Sequence, residues 1–151
     1  MMGELMNSHL GMPVKTNLKK EVNPQQAIVY QSGAFTKTQR ILGMPQVKLW
    51  IAPSESEMQL VAYLYDVDQK GVGTLLTKGP ITLYNQTPGS LVEVSIELTA
   101  LAHDLKSGHS LALGLDTEEH PAYGRPTEKS FTVTIHYDQN QEPKLTVPFI
   151  K

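Results

Sequence analysis

The amino-acid sequence predicts an all-β protein folded as an antiparallel β-sandwich. From about Gln26 onward, short runs alternate apolar with polar residues, a period that is typical of strands with one buried face. Turn-forming residues separate these runs at intervals of roughly 8–12 residues, as expected of a sandwich or a barrel. The intervals leave no room for the crossover helices that parallel strands require. A jelly-roll topology is favoured over an immunoglobulin-like one.

The first two predicted strands of this series are nearly all apolar or aromatic. They are Val47–Ile51 and Leu60–Val67. Continuous apolar runs of this length are typical of strands that are buried on both faces. We therefore expect Trp50 to lie in the core. We expect the same of Phe131, which opens one of the later strands.

The later strands alternate clearly between apolar and polar residues. They are Val92–Leu98, Leu111–Leu115, Phe131–Tyr137 and the closing Leu145–Phe149. Between the first two of them, Thr99–Lys106 is the only segment that has the composition to start a helix, and it has room for barely two turns. We find no internal repeat, which argues against a propeller or a solenoid.

The first residues of the chain differ from the rest. Met1–Pro24 contains four of the six methionines, scattered polar residues and no sustained period. We expect residues 1–25 to be an N-terminal tail or the remnant of a linker. Residues 26–151 are then the β-sandwich domain.

Composition excludes several classes of protein. A chain of 151 residues fits one domain, and the absence of cysteine excludes disulfide scaffolds and thiolate metal sites. The net charge of −2 without a basic run argues against binding to nucleic acid or to an anionic membrane. Met1–Met12 has neither the basic nor the apolar part of a signal peptide. We expect a cytoplasmic, soluble protein.

One motif resembles the nucleophile of a serine hydrolase. Gly108–Ala112 has Ser110 between turn-forming residues, with Asp116 and either His120 or His136 downstream. A nucleophile elbow needs a strand before the serine and a helix after it. Here a turn precedes Ser110 and an alternating strand follows it, so we interpret the motif as a turn that enters a strand.

Some segments of the sequence resemble metal sites, but none has the ligand pattern that such a site requires. Asp66-Val67-Asp68-Gln69-Lys70-Gly71 begins like a calcium loop, but Lys70 stands at the fifth position and Thr77 at the twelfth, where a bidentate glutamate belongs. An aspartate-capped hairpin is the better interpretation. Two clusters also combine histidine with acidic residues. They are His103, Asp104 and His109, and Asp116, Glu118, Glu119 and His120. Neither has the spacing of a helical zinc motif, so we expect no transition-metal site.

Aromatic residues offer one further candidate site, a stacking platform for a sugar or a base. The candidates are Trp50, Tyr63, Tyr65, Tyr84 and Tyr123. Most of them lie in apolar runs, where a place in the core is the simpler interpretation. Tyr123 lies in a polar loop, so we expect it to be the most exposed.

An ordered set of segments carries a resemblance to a known family. The segments are Gly43–Ile51, Leu64–Asp68, Gly71, Leu75–Gly79, Pro88-Gly89, Val92–Leu98, Ala102–Leu113, Thr134–Asp138 and Lys144–Pro148. Over about residues 26–151 the chain resembles the C-terminal, non-catalytic domain of X-Pro dipeptidyl-peptidases. Cocaine-esterase-type acyl esterases and α-amino-acid ester hydrolases share that domain. The loop Asp116–Pro121 departs from the pattern, which usually has a serine-rich strand end there.

The resemblance implies a jelly-roll sandwich similar to galactose-binding domains, packed beside an α/β-hydrolase domain. It also implies that the catalytic triad lies N-terminal to this module and outside this chain. We therefore expect no catalytic residue, no cofactor and no metal here. The expected partner is an α/β-hydrolase catalytic domain or a second copy of the chain.

Three functions follow from these observations. The first is an accessory module that covers and positions a hydrolase domain. The second is a carbohydrate-binding module, which rests on analogy of fold alone. The third is a small hydrolase that works from Ser110, which the order of turn and strand argues against.

Overall fold

The computed structural model describes residues 2–4, 28–117, 133–136 and 142–150. Within these residues the chain forms eleven β-strands and no helix. The strands are β1 Met2–Glu4, β2 Ile28–Gln31, β3 Gln39–Gly43, β4 Gln46–Pro53, β5 Met58–Val67, β6 Gly73–Leu83, β7 Val92–Glu97, β8 Leu101–Leu105, β9 Ser110–Asp116, β10 Val133–Ile135 and β11 Lys144–Ile150. They pair antiparallel in two sheets, so the predicted all-β sandwich is confirmed. No helix in the described part of the chain is long and apolar enough to cross a membrane.

The larger sheet contains seven strands arranged as four rows. Ile51 of β4 pairs with Val92 of β7 on one side and with Ile135 of β10 on the other. Strand β3 continues the row of β4, since it pairs with β8 and β11 on the same two sides. The rows are therefore β7–β8, β3–β4, β10–β11 and, at the free side of β11, β1.

The smaller sheet has the order β2-β9-β5-β6. Strand β5 lies inside it and pairs with β9 and with β6, the latter with a register shift at Leu64/Tyr65. Because β6 has only one partner strand, Pro80 in its middle is tolerated without breaking a ladder on its free side.

The main core lies between the two sheets. In β4 every second side chain points inward, and Val47, Leu49 and Ile51 are fully buried. They meet Leu60 and Leu64 of β5 in one apolar cluster, with further residues from β3, β7, β8, β9 and β11. The alternation predicted for β7, β9 and β11 supplies these inward residues.

The prediction for Leu60–Val67 is confirmed, because every residue of β5 is buried. Leu60, Ala62 and Leu64 face the main core. On the outer face of the smaller sheet, Val61 and Tyr63 belong to a second buried cluster, together with Tyr65, Val67 and Ala112. The strand is therefore covered on both sides.

The prediction for Val47–Ile51 is wrong, and with it the core position of Trp50. Trp50 is only half-buried and lies on the outer face of β4, on the same side as the exposed Lys48. The error has a simple cause: an outward aromatic residue between two inward aliphatic ones produces a continuous apolar run. Phe131, the second expected core residue, lies outside the described residues.

Two segments differ from their predicted form. Thr99–Lys106 contains strand β8 rather than the start of a helix. Pairing along β3 decides this, since Gln39–Gly43 matches Leu101–Leu105 residue by residue. Within the predicted tail 1–25, Met2–Glu4 pairs with β11 as a strand. The domain boundary itself stays a prediction.

Gly79 marks a close approach between the sheets. Strand β6 runs so near the end of β7 that a β-carbon on Gly79 would overlap the carbonyl oxygen of Glu97. Beside it, Thr99 N donates to Lys78 O at 3.2 Å, and Thr77 Oγ1 donates to Thr99 O at 2.6 Å. The absence of a side chain therefore lets one edge of the smaller sheet bond to the β7–β8 connection.

We expect Leu49→Ala to lower the free energy of unfolding by about 2–5 kcal/mol, because it leaves a cavity in the core. Trp50→Ala should cost about 1 kcal/mol, since the indole is half-buried. Urea unfolding of both variants measures the difference. An equal decrease in the free energy of unfolding for the two variants would show that Trp50 is a core residue.

We expect Gly79→Ala to destabilise the protein by about 1–3 kcal/mol, because backbone atoms must shift to admit the methyl group. Gly33→Ala is the control, since nothing lies within 4 Å of the added carbon. The control should be neutral or slightly stabilising. Thermal unfolding of the two variants side by side tests this. A Gly79→Ala protein as stable as its control would show that the close approach is not rigid.

Candidate functional site

Ser110 lies far from Asp116, the acid that its sequence motif suggested. It is the first residue of β9, and its buried Oγ accepts a hydrogen bond from Gln31 Nε2 at 2.9 Å. Asp116 lies at the other end of the same strand, about 20 Å away at the rise of an extended chain. A strand, not a helix, follows the serine, as its interpretation as a turn entering a strand requires. His120 lies outside the described residues, and His136 follows β10.

The polar group that the fold does assemble is centred on Asp66. Its Oδ1 lies 2.7 Å from His109 Nδ1, and its Oδ2 lies 2.7 Å from His103 Nε2. The Asp66 side chain is 10% exposed, against 30% for His103 and 23% for His109. Because an ionised carboxylate only accepts hydrogen bonds, both imidazoles donate to it. We call these three residues the Asp66 cluster.

Three different elements hold the Asp66 cluster together. Asp66 is the last inward-facing residue of β5 in the smaller sheet, and His103 faces inward from β8 in the larger one. His109 lies in the turn that leads from β8 to β9. That turn is anchored because Gly108 N donates to Phe35 O at 2.7 Å and Phe35 N donates to His109 O at 2.8 Å. The cluster thus ties both sheets and one connection at one end of the sandwich.

The turn before β9 requires a glycine at position 108. Gly108 has φ +84°, a region that favours glycine, and a β-carbon there would also overlap the side chain of Gln69. The turns after β5 and after β8 therefore pack directly on each other beside the Asp66 cluster.

Asp104 does not join the two histidines with which the sequence grouped it. Its neighbour His103 points inward, so Asp104 points outward, because successive side chains of a strand alternate. There Arg40 donates to it at 2.8 Å and 3.3 Å, and this hydrogen bond holds the pKa of Asp104 below its usual value. Across the described residues, no group of three or more acidic or histidine side chains is arranged to hold a metal ion.

The calcium-like segment is the aspartate-capped hairpin that the sequence predicts. Asp68 Oδ1 accepts from Lys70 N at 2.8 Å and from Val72 N at 3.0 Å. The hydrogen bond from Val72 is the main cause of the lowered pKa of Asp68. Asp66, the first carboxylate of the segment, faces the histidines instead.

The aromatic candidates do not share one surface. Tyr63 and Tyr65 are buried on the outer face of the smaller sheet, with ring centroids 6.4 Å apart. Trp50 lies on the other sheet, and Tyr84 is 56% exposed just after β6. Tyr123, and the acidic residues Glu118 and Glu119, lie outside the described residues.

Sequence reasoning missed the Asp66 cluster because its two histidines lie 37 and 43 residues after Asp66 along the chain. One signal was available. Asp66 is the single charged residue in the apolar run Leu60–Val67, and a charge in a doubly buried strand needs a partner.

We expect Asp66→Ala to destabilise the protein by about 3–5 kcal/mol, because it removes the shared acceptor of two largely buried donors. Asp66→Asn keeps the shape and one acceptor, so its loss should be smaller. Asp104→Ala, in an exposed ion pair with side chains 61% and 53% exposed, is the control and should change little. Denaturant titrations compare the three. If Asp66→Ala behaves like the control, the cluster does not tie the sheets.

This fold recurs as one part of several larger hydrolases whose structures are solved. An aminopeptidase from a marine sediment archaeon, Thaumarchaeota archaeon, matches with a TM-score of 0.76 and 15% identity, over 85% of this chain and 26% of that one. A CocE/NonD family hydrolase from Staphylococcus aureus matches with a TM-score of 0.73 and 16% identity, over 85% and 31%. An α-amino acid ester hydrolase matches with a TM-score of 0.67 and 15% identity, over 84% and 26%.

This chain therefore spans about a quarter to a third of the length of these structures. No curated protein matches it by sequence. The family model described as "X-Pro dipeptidyl-peptidase C-terminal non-catalytic domain" matches residues 6–142, which is most of the chain. The protein belongs to this family of non-catalytic domains, as the resemblance of its sequence segments implied.

Proposed function

We propose that this chain is an accessory module that covers and positions an α/β-hydrolase catalytic domain. The observation that carries the proposal is the match of residues 6–142 to a non-catalytic domain. The same fold also forms only 26–31% of hydrolase chains. Catalysis then belongs to the remainder of such a protein, and this module contributes surface.

The side chains of the described residues support this role. Several groups with the chemistry of a nucleophile, a base or an acid are engaged within the domain. Ser110 is bonded to Gln31, both histidines of the Asp66 cluster to one carboxylate, and Asp68 to its own turn. Hydrogen bonds of this kind give these groups a structural role in the domain.

The alternative of a carbohydrate-binding module receives no specific support. Its aromatic candidates lie on different faces, and two of them are buried. The likeness to galactose-binding domains, the cytoplasmic location and the pairing with a second copy stay predictions.

We expect the isolated chain to release no p-nitroaniline from Gly-Pro-p-nitroanilide. The reason is that Ser110 opens a strand rather than following one at an elbow, and that within the described residues its Oγ is bonded to Gln31. Ser110→Ala is the control for contaminating activity. Turnover that this substitution abolishes would contradict the proposal.

A second measurement tests the positive part of the proposal. The probe is an α/β-hydrolase domain with a G-x-S-x-G motif, sought in the source DNA upstream in the same reading frame or as a neighbouring gene. If the DNA encodes no such domain, the proposal fails. Mixed with this chain, the hydrolase domain should bind, and its melting temperature should rise by mass action. Titration calorimetry against a sugar panel separates the alternative, since binding of a sugar without binding of the hydrolase would favour the carbohydrate-binding module.

A further inference from the structure

The two outer faces of the sandwich differ in what they leave open. On the smaller sheet the outer residues of the inner strand β5 are buried, and Val61, Tyr63 and Tyr65 expose 2% or less of their surface. Towards the edge strands of that sheet the face is less covered, since Val29 and Leu75 are half-buried. On the larger sheet the outer side chains of β3, β4, β7, β8 and β11 alternate with buried ones and are exposed or half-buried. In the described part of the chain, the larger sheet has the more exposed of the two outer faces.

The open face is divided along its length. At one end lie the outer residues of β4, β7 and the first half of β11. They include Lys48, which pairs with Ser95 and with Lys144, and Gln46, which pairs with Glu97 and with Thr146. Trp50 and Ala52 also lie at this end and are half-buried, and the other outer residues of β4 and β7 are polar or charged.

The other end of the same face is apolar. Leu42 of β3 lies opposite Ala102 of β8 on one side and beside Pro148 of β11 on the other. Ile150 follows Pro148 on the same face and pairs with Arg40. Leu42 is 51% exposed and Ile150 is 37% exposed.

The break between β3 and β4 adds a fifth apolar residue. Gly43 has φ +132° and lies so close to the ring of Pro148 that an added β-carbon would be 3.0 Å from its Cγ. Met44 lies within this break, directly after Gly43, and is 54% exposed. We call Leu42, Met44, Ala102, Pro148 and Ile150 the β3 patch. It contains three of the five large exposed hydrophobic residues in the described part of the chain.

A polar border lies at one side of the β3 patch. Arg40 and Asp104 form their ion pair there, in the same two rows as Leu42 and Ala102. With Thr38 and Ile150 they line a groove of about 320 Å³. An apolar centre with a polar rim and an adjoining groove is the usual anatomy of a protein interface.

We propose that the β3 patch is the surface that contacts the α/β-hydrolase catalytic domain. This inference rests on the proposed function, because the hydrolases that share this fold continue for more than two thirds of their length beyond it. A domain inside such a chain has to place one face against the rest. Interfaces of this kind bury on the order of 600–1,500 Å². The β3 patch would then be the centre of the contact and the Arg40–Asp104 pair part of its rim.

The test compares two double variants of the 151-residue chain with the hydrolase domain defined above as the probe. Leu42→Thr/Ile150→Thr removes the apolar side chains of the β3 patch. Lys48→Thr/Lys144→Thr is the matched control, because it changes exposed strand residues in the same two rows at the polar end of the face. Threonine suits strands, so both variants should unfold at the midpoint of the parent.

We expect the patch variant to bind the hydrolase domain at least tenfold more weakly than the parent, and the control variant to bind within about twofold, as measured by titration calorimetry. Equal binding by the two variants would overturn the patch while leaving the proposed function intact. If the parent does not bind the probe at all, the proposed function and the patch both fail.

Sedimentation of the parent chain alone distinguishes the other occupant. A concentration-dependent dimer that the patch variant abolishes would assign the β3 patch to a second copy of the chain, and would overturn its assignment to the catalytic domain. A monomer with the binding pattern above supports the proposal.

Discussion

Burial of strand β5 on both faces is the constraint on which the rest of the structure depends. Its inward residues supply the main core, and its outward residues form a second apolar cluster with β9. A strand in this position accepts a charge only when the charge is paired, and it contains Asp66. The two histidines meet that need from the other sheet and from the turn before β9. The Asp66 cluster consequently holds β8 and the β8–β9 turn at one end of the sandwich.

The same constraint makes the two sheets unequal. Strand β5 of the smaller sheet is covered on both sides, whereas the strands of the larger sheet keep the alternation of a sheet with one wet face. This exposed outer face is the surface on which we propose the contact with a catalytic domain. On that proposal, function depends on the apolar β3 patch within a mostly polar face rather than on a deep cavity.

Residues with catalytic or ligand-binding chemistry acquire structural roles in this fold. Ser110 accepts a hydrogen bond from a glutamine of β2, Asp68 accepts hydrogen bonds that close a hairpin, and Asp104 is paired with Arg40 on the surface. The geometry between Asp66 and His109, in which a carboxylate meets Nδ1, also occurs in hydrolase triads. What makes it structural here is the second histidine on the other carboxylate oxygen, which ties β8 to β5. The type of residue alone does not separate these two uses.

Periodicity along the chain predicted β4, β5, β7, β9, β10 and β11, because a period of two and regularly spaced turns are local properties. It did not predict β8, which depends on pairing with β3. The sequence by itself identified the doubly buried β5, the hairpin at Asp68, the strand that follows Ser110 and the family, whose segments recur in order along the chain. It did not place Trp50, because an apolar run looks the same whether alternate residues face a core or an open surface. It did not find the Asp66 cluster or the β3 patch either. Both bring together strands that are far apart in sequence, and only the pairing of β3 with β8 and β11, and the packing of one sheet on the other, decides which side chains meet.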